Sequence, residues 1–363
     1  MKKIISVVGA RPNFMKIGPL HRAFLPHSDM VMHMICHTGQ HFDENMSRIF
    51  FEELELPQPD FYLGVGSGSH AEQTARIMTG FEKVLMDEKP DLVVVPGDVN
   101  STMAASLVAS KMGIPIAHIE AGLRSFDRTM PEEINRMVTD VLAEYLFVSE
   151  PSGLANLRKE GIPEEKTYPV GNIMIDSLTH YLPKTEKSTI LKNLELRTRD
   201  YVLVTFHRPN NVDLEIKLTE LVNFLNRLSE SKKVIFPVHP RTRINLEQYG
   251  LISKLESRVI LTEPMGYIDF LTLTRHARLV ITDSGGIQEE TTWLGVPCIT
   301  VRDNTERPVT VDQGTNVLAG TDLNRVQKLA GNMLEGKTKK GKIPEYWDGK
   351  TANRIVQILL RKL

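Results

Sequence analysis

Across 363 residues, 44 Lys and Arg are set against 45 Asp and Glu, so no global field directs the chain to nucleic acid or to an anionic membrane, and any bound anion has to be held locally. That length suits two domains better than a single core. No apolar stretch approaches the roughly 20 residues of a membrane span, and Cys36 and Cys298 sit in apolar runs where buried reduced thiols are commonest; the expected setting is the cytoplasm, with no membrane partner.

Taken in chain order, short Val/Ile-rich runs alternate with helix-length segments, the pattern of β-α-β units and parallel sheets. KIISVVG, MVMHMICHT, DLVVVPGD, IPIAHIEAG and EYLFVSE read as strands of a first half, and YVLVTFHR, KVIFPVHP, RVILTEP, ARLVITDSGG and VPCITVRD as strands of a second. After KTYPVGN, the polar segment SLTHYLPKTEKSTILKNLELRTRD lacks a strand pattern and is read as the connection. The expected domains are therefore 1–172 and 173–349, followed by an amphipathic helix at about 350–363.

Ligands of open parallel sheets sit beyond the carboxyl ends of the strands, and the polar residues of this chain concentrate there. The first strand ends in GARPNFMK, not the GxGxxG fingerprint, which disfavours a nicotinamide or flavin dinucleotide; Arg11 and Lys16 are cations placed to neutralise a diphosphate. Asp98 and Glu120 close consecutive apolar strands, where an acid is costly without a task or a partner. Glu132 and Glu133 in MPEEINR suit a third acidic position equally as well as an ordinary helix start after Pro131. His207 and His239 end equivalent strands of the second half, each with an arginine close by at Arg208 and Arg241, and Glu306 and Arg307 lie in a loop able to meet sugar or phosphate. Ser284, Gly285 and Gly286 join a buried strand to a helix, a turn whose open N–H groups suit phosphate oxygens, with Glu290 one turn on for a ribose diol. There is no HExxH, paired-cysteine or clustered-histidine pattern, and His37 and His41, spaced for one helical face, directly follow a strand; no metal and no cofactor are expected.

Together GARPNFMKIGPL, TGQHFDENM, PGDVNST, HIEAGLRS, MPEEINR, VGNIMID, HRPNNVD, VHPRTR, TDSGGIQEE and RDNTERP resemble, in order, the non-hydrolysing UDP-N-acetylglucosamine 2-epimerases. The resemblance implies an α/β fold of glycosyltransferase-B type, two Rossmann-like domains with parallel sheets facing a central cleft, with the C-terminal helix packed back on the first domain. It implies a homodimer serving cell-surface polysaccharide synthesis, and a reaction that interconverts UDP-N-acetylglucosamine and UDP-N-acetylmannosamine by elimination and re-addition of UDP through 2-acetamidoglucal. Position by position, Asp98, Glu120 and Glu132 match the family's catalytic acids and His207 its catalytic histidine. Arg11, Ser284, Gly285, Gly286 and Glu290 match UDP-binding positions, and Lys16, Arg136, Arg208, His239 and Arg307 join them as substrate-binding expectations. Gln40 and His41 match a region that helps form a second, activating substrate site in some bacterial members.

Two positions depart from the family pattern. Asn13 and Asn210 stand where members commonly carry a glutamate; each keeps hydrogen bonding but removes a charge, so a modified sugar such as a uronic or deoxy derivative is the alternative to UDP-N-acetylglucosamine, which stays the expected substrate. The rival enzyme reading is a glycosyltransferase of the same fold, and the non-enzyme reading is a nucleotide-sugar sensor, which would gain nothing from retained acids.

Overall fold

The Val/Ile-rich runs form strands buried on both faces: Ile4, Ile5, Val7 and Val8 at one end of the chain and Val202, Leu203 and Val204 in its second half are at most 1% exposed, as parallel sheets covered by helices require. The computed structural model describes residues 1–39 and 55–363, without the side chains of Arg11, Pro209 and Asn210. Two compact units divide it, Met1–His180 with Glu345–Leu363, and Tyr181–Pro344.

In the first unit the strands are β1 (Lys2–Val8), β2 (Val31–His37), β3 (Phe61–Tyr62), β4 (Leu92–Pro96), β5 (Ile116–Ile119), β6 (Tyr145–Val148) and β7 (Thr167–Pro169). They pair in parallel in the order β3-β2-β1-β4-β5-β6-β7. Helices α1 (Arg11–Phe24), α2 (His70–Glu88), α3 (Asn100–Lys111), α4 (Pro131–Leu142), α5 (Pro151–Lys159) and α6 (Ile173–Tyr181) accompany them. The second unit holds β8 (Tyr201–Thr205), β9 (Lys233–Pro237), β10 (Val259–Thr262), β11 (Leu279–Thr282), β12 (Cys298–Thr300) and β13 (Asn316–Leu318), all parallel in the order β10-β9-β8-β11-β12-β13. Its helices are α7 (Ile190–Asn193), α8 (Pro209–Val212), α9 (Glu215–Ser229), α10 (Pro240–Gln248), α11 (Tyr267–His276), α12 (Gly285–Leu294), α13 (Pro308–Asp312) and α14 (Leu323–Leu334). Each sheet is therefore a doubly wound, Rossmann-like one with a single reversal of strand order, between β1 and β4 in the first and between β8 and β11 in the second. β3, β7 and β13 have only two or three residues each, too few to show a period-two pattern.

The segment expected to connect the domains begins inside α6, a helix whose Ile173, Ile175, Leu178 and Tyr181 are fully buried. Residues 173–180 belong to the first unit, so the chain leaves that unit eight residues after the expected boundary at 172/173. The reason is a cap. α15 (Thr351–Lys362) returns to the first unit and packs on α1, and Asp176 of α6 accepts the N–H groups of Thr351 and Ala352 at 3.1 and 2.7 Å. Burial pushes the Asp176 carboxyl up to about 6 while the two N–H bonds oppose it. Nearby, the Trp347 indole, 1% exposed, donates to the Ser149 carbonyl at 3.0 Å. Asp176→Ala removes both acceptors and should cost about 1–2 kcal/mol, read by urea unfolding; a midpoint equal to that of the parent would contradict the cap.

Both cysteines are buried and free, and burial pushes each thiol up to about 12. Among the described residues no helix is long and apolar enough to cross a membrane.

Candidate active site

The candidate residues flank the two reversals of strand order. In the first unit Gly9 and Ala10 follow β1, Gly97 and Asp98 follow β4, and Glu120 follows β5; in the second, His207 follows β8, Asp283 and Ser284 follow β11, and His239 closely follows β9. These are the strand ends where doubly wound sheets bind ligands.

At the first reversal, Lys16 of α1 does not stand as an available cation. Its Nζ lies 2.6 Å from Glu120 Oε2, with both side chains less than 10% exposed, so the pair is neutral as it stands. Glu120 occupies the left-handed region at φ +71°, a conformation uncommon for a residue with a side chain and concentrated at functional sites. Gly97, at φ +67°, lies beneath the pair; a Cβ there would come within 2.7 Å of Lys16 Nζ. Asn13 is consumed by the scaffold. Its Oδ1 accepts from the N–H groups of Gly9 and Ala10 at 3.1 and 3.0 Å, and its Nδ2 donates to the Pro96 carbonyl at 3.2 Å. A glutamate could not make that last bond, so Asn13 ties β1 to β4, and this bonding explains its departure from the family pattern without reference to the sugar.

Asp98, partly exposed, pairs with Arg136 Nη1 at 2.7 Å. The same guanidinium bonds Glu133 at 2.9 Å, so Arg136, expected as a substrate ligand, bridges two acids of its own unit. Glu133 also accepts from the N–H groups of Ser125 and Phe126 and from the Ser125 hydroxyl, at 2.8–3.0 Å. The structure thus separates two adjacent glutamates that the sequence leaves level: Glu133 is 1% exposed and holds a loop, whereas Glu132 is half-buried with no hydrogen bond or ion pair among the described residues.

At the second reversal, Asp283 is the organising group, and the sequence reading passed over it. Fully buried, it accepts from His207 N, Arg208 N and Asn211 Nδ2 at 2.9–3.2 Å and meets His207 Nδ1 at 2.7 Å. Burial alone would raise its pKa, but His207 and these donors hold it below the usual carboxylate range. The His207 ring, 47% exposed, therefore carries its proton on Nδ1 and leaves Nε2 for chemistry. His239 caps α10 by accepting the Arg241 N–H at Nδ1, 3.3 Å away; burial, His207 and Arg241 lower its pKa.

Helix α12 begins at Gly285 with Ser284 as an N-cap that makes no side-chain cap bond. Ser284 N donates to the Thr282 hydroxyl at 2.9 Å, and the first N–H groups inside the helix are those that a helix start leaves without an intrahelical acceptor. A Cβ at Gly285 would sit 2.8 Å from Arg307 Nη1 and displace that side chain, while Gly286 has open space around it. Arg307 is held there by Glu289 and Glu306, each at 2.6 Å, and Glu306 in turn by Arg302 at 2.8 Å. Glu290 accepts from the Tyr267 hydroxyl at 3.0 Å; burial pushes its carboxyl up to about 7, with the Tyr267 bond opposing and Glu289 adding.

That raised value sets a pH dependence. Between the ordinary value of 4.5 and about 7 the folded chain holds a proton that the unfolded chain has lost, so stability falls as pH rises through this window and levels off above it. Relative to Glu290→Gln, the parent should lose up to roughly 3 kcal/mol from pH 4.5 to 8, read by urea unfolding; parallel curves for the two proteins would contradict it.

Gln40 and His41 lie outside the described residues, as does the Arg11 side chain, although Arg11 opens α1. Among the described residues no group of three or more His, Cys, Asp and Glu is arranged to hold a metal ion.

A family model described as UDP-N-acetylglucosamine 2-epimerase matches residues 25–360. The chain belongs to this epimerase family. It is 46% identical over 364 residues to the UDP-N-acetylglucosamine 2-epimerase of Methanocaldococcus jannaschii, covering 98% of each chain. A crystal structure of the Methanocaldococcus jannaschii enzyme in complex with UDP-N-acetylglucosamine and UDP is similar at a TM-score of 0.90, with 45% identity and 99% of this chain and 100% of that one covered. The UDP-2,3-diacetamido-2,3-dideoxy-D-glucuronate 2-epimerase of Pseudomonas aeruginosa is 41% identical over 363 residues, covering 99% of both. A UDP-glucosyltransferase from Polygonum tinctorium, 16% identical at a TM-score of 0.60 over 99% of this chain and 94% of that one, shares the glycosyltransferase-B type fold. The epimerases are isomerases, so the family makes this chain one as well.

Proposed function

We propose that the chain interconverts UDP-N-acetylglucosamine and UDP-N-acetylmannosamine. A carboxylate takes the C2 proton as the C1–O bond breaks, and that electron pair leaves with the β-phosphate oxygen of UDP. The products, 2-acetamidoglucal and UDP, recombine after a proton reaches C2 from the opposite face. Asp98 and Glu120, which follow β4 and β5, and Glu132, in the first turn of α4, are the acids and bases for the two faces; His207, its ring held by Asp283, is the second unit's proton-carrying group. The helix start at Gly285 and Gly286, with Ser284, Arg208, Arg307 and the Arg11 position, takes the diphosphate, and Glu290 the ribose. Lys16 can neutralise a phosphate only by giving up Glu120, an exchange that would uncover a base as substrate arrives.

The observation that carries this reading is the pair Asp98 and Glu120 at consecutive strand ends, since binding an anion gains nothing from nearby acids. Positional isotope exchange tests it. With oxygen-18 in the bridge between C1 and the β-phosphorus, the label should scramble into non-bridging positions; a bridge label that stays fixed while epimers interconvert would exclude elimination. A second reading, a 2-epimerase of a modified UDP-N-acetylhexosamine, has the support of the Pseudomonas relative; a higher kcat/KM for the diacetamido uronate than for UDP-N-acetylglucosamine would favour it. A cytoplasmic homodimer serving cell-surface polysaccharide synthesis completes the proposal, the dimer being read by sedimentation.

A further inference from the structure

Beneath the two strand ends that carry Asp98 and Glu120 lies a buried polar chain with no place in the reaction above. His118, two residues before Glu120 on β5, is fully buried. Its Nε2 faces the Gly97 carbonyl at 2.8 Å and its Nδ1 faces Asp140 Oδ1 at 2.6 Å. Both partners are acceptors, so the arrangement is satisfied when both ring nitrogens carry hydrogen. From α4, Asp140 reaches on with Oδ2 to the Gly122 N–H at 3.1 Å and to Arg124 Nη2 at 2.7 Å, and Arg124 closes the chain on Glu160 with two bonds of 2.8 and 2.6 Å. Burial would raise the pKa of Asp140, yet His118 and Arg124 hold it lowered.

The contacts are placed with a consistent consequence. Gly97 immediately precedes Asp98, and its N–H is itself bonded to the Ile119 carbonyl at 2.9 Å. Gly122 is two residues past Glu120. One imidazole–carboxylate pair thus fixes the loop after β4 on one side and the loop after β5 on the other. A solvated loop would let the two carboxylates drift, and a displacement near 1 Å at a reacting group can cost on the order of a hundredfold in rate. Asn156 Nδ2 adds a bond to the Gly122 carbonyl at 2.9 Å from α5, so the second loop is held from both sides.

We propose that His118 and Asp140 are positioning residues that clamp the Asp98 and Glu120 loops into one geometry. They touch no substrate and act through the two acids, so the inference rests on the epimerase reading. The test uses the full chain with His118→Ala, His118→Gln and Asp140→Asn, measuring epimerisation of UDP-N-acetylglucosamine alongside amide hydrogen exchange. His118→Ala should lower kcat about a hundredfold with KM within threefold. His118→Gln, whose amide can still donate to the Gly97 carbonyl, should recover at least a tenth of parental activity, and a general loss of packing would not produce such a recovery. Exchange at Gly97–Asn100 and Glu120–Gly122 should quicken tenfold or more in Asp140→Asn, with the second unit unchanged. Equal activities for Ala and Gln, or unaltered exchange in those two segments, would overturn the clamp. Should His118→Ala fail to fold, the Gln and Asn variants carry both readouts. A parent that exchanges as described but never epimerises UDP-sugars would refute the functional reading instead.

Discussion

Glu120→Gln should reduce epimerisation by roughly 10²- to 10⁴-fold, the usual contribution of a positioned acid or base, while affinity for UDP alone stays within a few-fold. The size follows from where Glu120 sits: a 4% exposed side chain on a left-handed backbone, 2.6 Å from Lys16. Glutamine keeps the shape and loses the charge. It also strands Lys16, and removing one partner of a buried pair costs about 3–5 kcal/mol, so activity loss by itself would be ambiguous. Lys16→Met combined with Glu120→Gln separates the two effects. The double variant should regain most of the lost stability in urea unfolding and none of the lost turnover; recovery of turnover along with stability would assign Glu120 to the scaffold.

Asp283→Asn should be nearly as severe, lowering kcat by roughly 10²- to 10³-fold. Asp283 is drawn by four donors at this strand end, the His207 ring among them. An asparagine can present its amide nitrogen to His207 Nδ1, which then has to accept, and the ring's proton moves to Nε2, the wrong nitrogen for accepting a proton. The lowered pKa of Asp283 means its stabilising contribution is present above the ordinary carboxylate value and is lost as pH falls through the folded one. Nitrogen-15 spectra of His207 should report protonated Nδ1 in the parent and protonated Nε2 in the variant, together with the drop in kcat. Activity within twofold of the parent, or an unchanged tautomer, would remove Asp283 from the machinery.

Much of this arrangement is legible in the amino-acid sequence. Strand ends are local events, and Asp98, Glu120, His207 and Ser284 each follow an apolar run that announces its own termination. Contacts between distant positions are not local, and the sequence reading missed what depends on them. Asp283 matters because it meets His207, 76 residues earlier; His118 matters because Asp140 and Gly97 lie 22 and 21 residues away. Glu132 and Glu133 are adjacent and chemically alike, and only the packing of α4 decides that Glu133 binds the Ser125 loop. Asn13 was read as a missing charge near the sugar because its partners, the backbone groups of Gly9, Ala10 and Pro96, leave no mark in composition. The first unit runs past the expected boundary at 172/173 because α6 is short and its role appears only when Asp176 caps a helix 175 residues onward.

The most direct measurement is a proton spectrum of UDP-N-acetylglucosamine incubated with the purified chain in heavy water. Passage through 2-acetamidoglucal should give UDP-N-acetylmannosamine with deuterium at C2 in both epimers. Epimers formed with the C2 proton retained, or no product without a sugar acceptor, would contradict the account.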